Sequence, residues 1–213
     1  MLSFIHRYLL DLLFPENCLG CGRQNERLCA RCLDDLPSNN AQEKGVYSVF
    51  SYQTPLIKEA IWRLKYKGEK RIALALGQEL YRRARPRLDL PANQPFTVIP
   101  IPSSRQRLTE RGFNQAALVA RAFAGREPSR FQFTDRVLIK IKDTPAQVAT
   151  KSRAARLANL AGAFTVRDHN LIAGRTIILI DDVTTTGGTM AEAKRTLREA
   201  GAKRVIGLTV ARG

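Results

Sequence analysis

Apolar residues recur along this chain with two periods, and the places where one gives way to the other mark its elements. Val46-Tyr47-Ser48-Val49-Phe50-Ser51-Tyr52 has the β-branched and aromatic content of a strand. The stretches at about 55–66 and 69–84 carry apolar residues at helical spacing and basic residues on the other side, so both are read as helices. Three prolines make 85–95 a loop. Phe96 to Ile101 reads as a strand, followed by a basic loop and a helix from about Asn114 to Phe123. Val137 to Ile141 is a further strand candidate. Thr176 to Ile180 is nearly continuous in apolar residues, as expected of a strand buried on both faces of a parallel sheet. A Thr/Gly loop, a helix from about Thr189 to Ala200, a stop at Gly201 and a strand from Val205 to Val210 complete a βαβ unit. The pattern predicts an α/β fold: a parallel sheet flanked by helices.

The first 14 residues are apolar, but His6, Arg7 and Asp11 interrupt them. Leu2, Ile5, Leu9, Leu12 and Leu13 have the spacing of a short amphipathic helix, which is expected to dock on the body of the protein, a membrane-surface role being the minor alternative. The run is too short to span a bilayer and has no small-residue cleavage site. With no other stretch apolar enough, a cytoplasmic location without integral membrane contact is expected. All four cysteines follow, as Cys18-x2-Cys21 and Cys29-x2-Cys32. Two disulfides would suit a secreted chain, but thiols stay reduced in the cytoplasm. Redox chemistry is a second alternative. Two Cys-x2-Cys pairs this close point foremost to a closed tetrahedral Zn²⁺ site with a structural role, without which so small an apolar module would not fold. The expected domains are 1–37, an amphipathic helix with a four-cysteine zinc module, and 46–213, joined by a polar link.

At 213 residues and 44% hydrophobic content the chain can bury a sizeable core, which argues against wholesale disorder. Lysine and arginine number 35 against 19 acids, a formal charge of +16. That excess leaves the fold open but favours an anionic partner over mere solubility.

The segment with the most chemistry is Asp181-Asp182-Val183-Thr184-Thr185-Thr186-Gly187-Gly188-Thr189. It leaves the carboxyl end of a buried strand and enters a helix, where free N–H groups and the helix dipole favour an anion. Gly187 and Gly188 let the backbone approach a phosphate, and Thr184, Thr185, Thr186 and Thr189 offer hydroxyls. No lysine follows the glycines as in a Walker A loop. Asp181 and Asp182, one sugar-length from the phosphate cradle, can accept hydrogen bonds from vicinal ribose hydroxyls. The plainer reading makes them helix N-terminal acids beside a polar turn.

Acid–acid followed by Thr-Gly-Gly-Thr resembles the binding signature for phosphoribosyl pyrophosphate (PRPP) of type I phosphoribosyltransferases. The likeness extends to the ComF (competence) family and its GntX-like relatives. It rests also on the paired Cys-x2-Cys, Leu64-Lys65-Tyr66-Lys67-Gly68, Val98-Ile99-Pro100-Ile101-Pro102, Arg111-Gly112-Phe113-Asn114-Gln115, and Gln147, Arg156 and Asn159 before Gly162-Ala163-Phe164. The resemblance implies a type I phosphoribosyltransferase-like sheet with an appended zinc module. It makes Ser103, Ser104 and Arg105, with Arg111 nearby, a pyrophosphate loop, although any one arginine could belong to a solvated turn. It also makes Lys140 to Arg156 a loop that closes over the reacting centre.

Mg²⁺ would accompany the diphosphate, since it uses substrate oxygens and few carboxylates, and Asp181 and Asp182 are the ones on offer. The leading expectation is a transferase that displaces pyrophosphate from PRPP with an acceptor the sequence does not identify. No cysteine stands at residue 1 or 2, so a complete amidophosphoribosyltransferase is not expected. Lys65 and Lys67 with Trp62 and Tyr66, and beyond them Lys70, Arg71, Arg82, Arg83, Arg85 and Arg87, form a candidate path for single-stranded DNA or the solvated face of two helices. The resemblance adds a link to competence and DNA uptake. The alternatives are therefore a non-catalytic PRPP sensor, a DNA-handling factor, and a zinc module that recruits DNA-uptake proteins. Relatives often pair as homodimers.

Overall fold

The structure is a computed structural model that describes residues 16–39, 42–43, 45–91, 94–142 and 160–213. The N-terminal helix read at residues 1–14, most of the closing loop read at Lys140 to Arg156, and the motif residues Gln147, Arg156 and Asn159 lie outside the described residues.

In chain order the elements are α1 (Ala30–Asp34), β1 (Gln42–Glu43), β2 (Val46–Ser51), α2 (Pro55–Tyr66), α3 (Lys70–Ala84), β3 (Phe96–Pro100), α4 (Arg105–Arg111), α5 (Gln115–Ala124), β4 (Phe131–Phe133), β5 (Leu138–Lys140), β6 (Phe164–Val166), β7 (Thr176–Thr184), α6 (Gly188–Glu199) and β8 (Arg204–Arg212). Six strands form one sheet in the order β1-β2-β8-β7-β3-β4, all parallel except β1. β5 and β6 make a separate antiparallel pair. Among the described residues no helix is long and apolar enough to cross a membrane.

Strand side chains alternate between faces, so β7 feeds two cores at once. Ile178 and Ile180 join the apolar residues of α2, α3 and α5 on one face. Ile177 and Leu179 meet α6 and the β5–β6 pair on the other. Neighbouring strands β3 and β7 thus send their following helices, α5 and α6, to opposite faces. The loops beyond their carboxyl ends diverge and leave a crevice, the usual ligand position in an open α/β sheet.

Three sequence-based expectations need correction. The basic loop after Pro102 is mostly helix: α4 begins at the N-cap Ser104, whose Oγ accepts from Arg107 N at 3.3 Å, and ends at Gly112 with φ +73°. It buries no residue, so it has no apolar stripe for periodicity to detect. Strand β7 continues through Asp181 and Asp182 to Thr184, paired with β8 along its length, so both acids belong to the strand rather than the loop. The arginines at the end of α3 do not form an open track. Arg83 donates to the Leu33 and Leu36 carbonyls, Arg82 pairs with Glu79 and Asp34, and Arg85 lies 3.8 Å from Glu127.

These same contacts weld the cysteine module to the body. Leu28 and Leu33 are buried in one core with Ile57, Ile61 and Leu64 of α2. Arg27 reaches Glu69 at 3.2 Å and Arg71 reaches Glu16 at 2.9 Å.

Candidate functional site

The four cysteines form a compact donor set: their Sγ atoms all lie within 4.8 Å of one another. Cys21 and Cys29 are 3.7 Å apart. A tetrahedral ZnS₄ centre with bonds of about 2.3 Å separates its sulfurs by about 3.8 Å. Burial raises the Cys29 and Cys32 thiols, whereas at Cys18 the N–H groups of Cys29, Cys21 and Gly20 overcome burial and lower it to about 6. A divalent soft cation relieves the mutual repulsion of four thiolates, so the residues fit zinc. Gly20 is required at its position, because a Cβ there would stand 2.7 Å from Cys32 Sγ.

The second site is a cavity of about 260 Å³ in the crevice between β3 and β7. One wall runs from Asp181 to Met190. Gly187 takes φ +78° as the N-cap of α6, a turn that a side chain would strain. No side chain caps α6 and its first turn holds no acid, so its leading N–H groups and dipole are available to an anion. Thr184, Thr185, Thr186, Gly188 and Thr189 line the same cradle.

The opposite wall carries Ser103, Ser104, Arg107 and Arg111. Arg107 and Arg111 lie one helical turn apart and share a face of α4, whereas Arg105 is exposed and outside the cavity lining. Asn114 fastens this wall twice: Oδ1 accepts from Ala116 N at 3.0 Å to cap α5, and Nδ2 donates to the Ile101 carbonyl at 2.9 Å. Gln115, also lining the cavity, is buried and its Nε2 has no hydrogen-bond partner. Gln115 belongs to the Arg111 to Gln115 motif, whereas Arg107 is a charged lining residue that motif reading did not single out. The signal for Arg107 was the Ser104 cap, which makes residues 107 and 111 one face.

Alternation along β7 turns Asp181 toward the α6 face and Asp182 toward the α2 face. Asp181 Oδ1 accepts from Asp182 N at 2.9 Å, and Asp182 Oδ1 from Val183 N at 2.8 Å. Burial and the neighbouring Asp182 charge hold the Asp181 carboxyl well above its usual range. The folded state therefore binds that proton more tightly than the unfolded chain does, and stability is lost as pH rises through the raised value.

Lys65, read from sequence as part of the DNA path, is instead turned inward: its Nζ lies 2.9 Å from Asp182 Oδ2 and it lines the cavity. Burial would lower the lysine, but the Asp182 carboxylate outweighs it and the ammonium is raised. The rest of the patch stays on the surface. Trp62 and Tyr66 are 42% and 63% exposed with ring centroids 6.0 Å apart. Lys67 Nζ sits 5.5 Å from the Trp62 ring and Arg111 5.2 Å from that of Tyr66.

Two family models match: the phosphoribosyl transferase domain over residues 108–213 and the double zinc ribbon domain over residues 9–42. The competence protein ComFC of Bacillus subtilis is 32% identical over 72% of this chain and 58% of its own length. The DNA utilization protein YhgH of Shigella flexneri is 31% identical over 88% of this chain and 80% of its own. Competence protein F of Haemophilus influenzae is 28% identical over 90% and 82%. Sequence, sheet and cysteine cluster agree with these matches, and the chain belongs to the ComF (competence) family, a phosphoribosyltransferase domain carrying an N-terminal double zinc ribbon.

Proposed function

We propose that the cavity binds PRPP and that the protein transfers its phosphoribosyl group to an acceptor. The observation that carries this reading is the meeting of three chemistries in one crevice: two strand-end acids, an uncapped helix N-terminus behind Gly187, and two arginines on the facing helix. In that assignment Asp181 and Asp182 accept the ribose hydroxyls, 184–189 hold the 5′-phosphate, and Ser103, Ser104, Arg107 and Arg111 take the pyrophosphate. The acceptor's lone pair attacks C1′, the C1′–O bond breaks, and its electrons leave on pyrophosphate, whose charge the arginines stabilise. Among the described lining residues the carboxylates are Asp181 and Asp182, and the latter is engaged by Lys65. The site therefore fits a magnesium ion carried on diphosphate oxygens and water rather than one caged by protein. That ion would neutralise the leaving group.

Calorimetric titration of zinc-loaded protein with PRPP and Mg²⁺ tests the reading, with Asp181→Asn/Asp182→Asn beside it. Two ribose hydrogen bonds to charged acceptors are expected to be worth about 3 kcal/mol or more, so the double variant loses at least about a hundredfold in affinity. A folded native protein that gives no heat with PRPP sinks the proposal.

The relatives named for competence and DNA utilization, and the exposed aromatic–cation stripe, favour a second activity: binding of single-stranded DNA along Trp62, Tyr66 and Lys67. Stacking is worth about 1–3 kcal/mol per base, so Trp62→Ala is expected to weaken single-strand binding at least about fivefold in fluorescence anisotropy. Unchanged affinity would make the stripe an ordinary solvated face.

A further inference from the structure

Lys65 occupies a position that the assigned roles of the cavity do not use. It lies in the last turn of α2, where the helix dipole favours a cation whether or not a ligand is present. Its ammonium lies 2.9 Å from the buried Asp182 Oδ2. The contact is an ion pair between a flexible four-carbon stem and a strand-end carboxylate. The next residue, Tyr66, lies under the Arg111 guanidinium at 5.2 Å, so the end of α2 abuts the arginine wall. Lys65 therefore stands in one cavity with the acids and with Arg107 and Arg111.

We propose that Lys65 is an exchanging cation: it neutralises Asp182 in the empty site and passes to the diphosphate of the bound ligand as ribose hydroxyls take its place on the carboxylate. The inference rests on the PRPP reading and adds the residue that discriminates PRPP from ribose phosphates lacking the diphosphate. Ribose hydroxyls are neutral donors and satisfy Asp182 without a counter-charge. The diphosphate brings several negative charges to the same cavity, and a lysine released from one anion is drawn to the other. In the empty site the ion pair keeps two adjacent carboxylates compatible with a site meant for an anion. In the filled site its cation joins the arginines on the leaving group.

The experiment compares PRPP and ribose 5-phosphate, each with Mg²⁺, on native protein, Lys65→Gln and Lys65→Arg. Glutamine keeps a donor for Asp182 and removes the charge, so the fold should survive, which a melting curve checks. Loss of one charge-assisted contact predicts a drop of about tenfold to a hundredfold for PRPP and less than about threefold for ribose 5-phosphate. Lys65→Arg is expected to restore most of the PRPP preference. Equal losses for both ligands would mean that Lys65 merely neutralises Asp182, and no loss for either would remove it from the site; each overturns the proposal while leaving PRPP binding intact. Failure of native protein to bind either ligand would overturn the PRPP reading itself.

Discussion

Stripping zinc with a chelator is expected to lower the melting temperature by about 8–16 °C and to abolish PRPP binding, both reversed by adding zinc back. Structural zinc sites contribute about 10–16 kcal/mol to the folding of the modules that hold them. Here the module is packed against the rest. Leu28 and Leu33 lie in the core of α2 and α3, and Arg83 donates to the Leu33 and Leu36 carbonyls from the other side. Opening the ribbon exposes those leucines, removes the carbonyl partners of Arg83 and the Arg27–Glu69 pair, and uncovers the face of α2 that carries Ile57, Ile61 and Leu64. If about 4 kcal/mol of the loss reaches the domain, a chain of this size melts about 8–16 °C lower. The same helix ends in Lys65 and Tyr66 at the cavity, so the ligand site should fail with it. Differential scanning calorimetry with and without chelator, and on Cys29→Ser, measures the effect. A protein that melts unchanged and still binds PRPP without zinc would make the ribbon peripheral.

How much of this was legible beforehand depended on how each element meets its surroundings. Strand β7 and helices α2, α3 and α5 are buried along a face, and burial writes itself into the sequence as period; α2 was read at its observed bounds, Pro55–Tyr66. Three-residue strands such as β4 and β6 are too short to display any period, and α4 buries nothing, so only its cap at Ser104 and stop at Gly112 announce it. The acids, threonines and glycines of the phosphate cradle were visible because their types are unusual beside a buried strand. Lys65 was not, because its role depends on which face of β7 Asp182 occupies and which helix covers that face. That is a tertiary fact: Lys65 and Asp182 lie far apart in the chain, and a basic helix end looks the same in sequence whether it faces DNA or a carboxylate.

The same limit applies to Gly77, an unremarked residue inside helix α3 for which a large effect is expected. Helix propensity alone says that Gly77→Ala should stabilise α3 by about 1 kcal/mol. The crossing of α3 and α5 says the reverse. A Cβ at Gly77 would stand 2.4 Å from the Val119 carbonyl oxygen and 2.5 Å from Ala122 Cβ. Both neighbours belong to α5 and cannot rotate away, so the helices must separate. Overpacking of a close core costs about 1–3 kcal/mol and occasionally more, and a backbone contact lies at the upper end. Gly77→Ala is therefore expected to destabilise by about 2 kcal/mol net, and Gly77→Leu by about 4 kcal/mol or more, in urea titrations. The damage should reach function, because α5 opens with Asn114 and Gln115 at the cavity wall and Asn114 holds the Ile101 carbonyl. Weaker PRPP binding is then expected together with lower stability, whereas Lys65→Gln should weaken binding without lowering stability to match. A neutral or stabilising Gly77→Ala would mean that α3 and α5 do not cross in backbone contact, and the packing assigned to this face of the sheet would have to be redrawn.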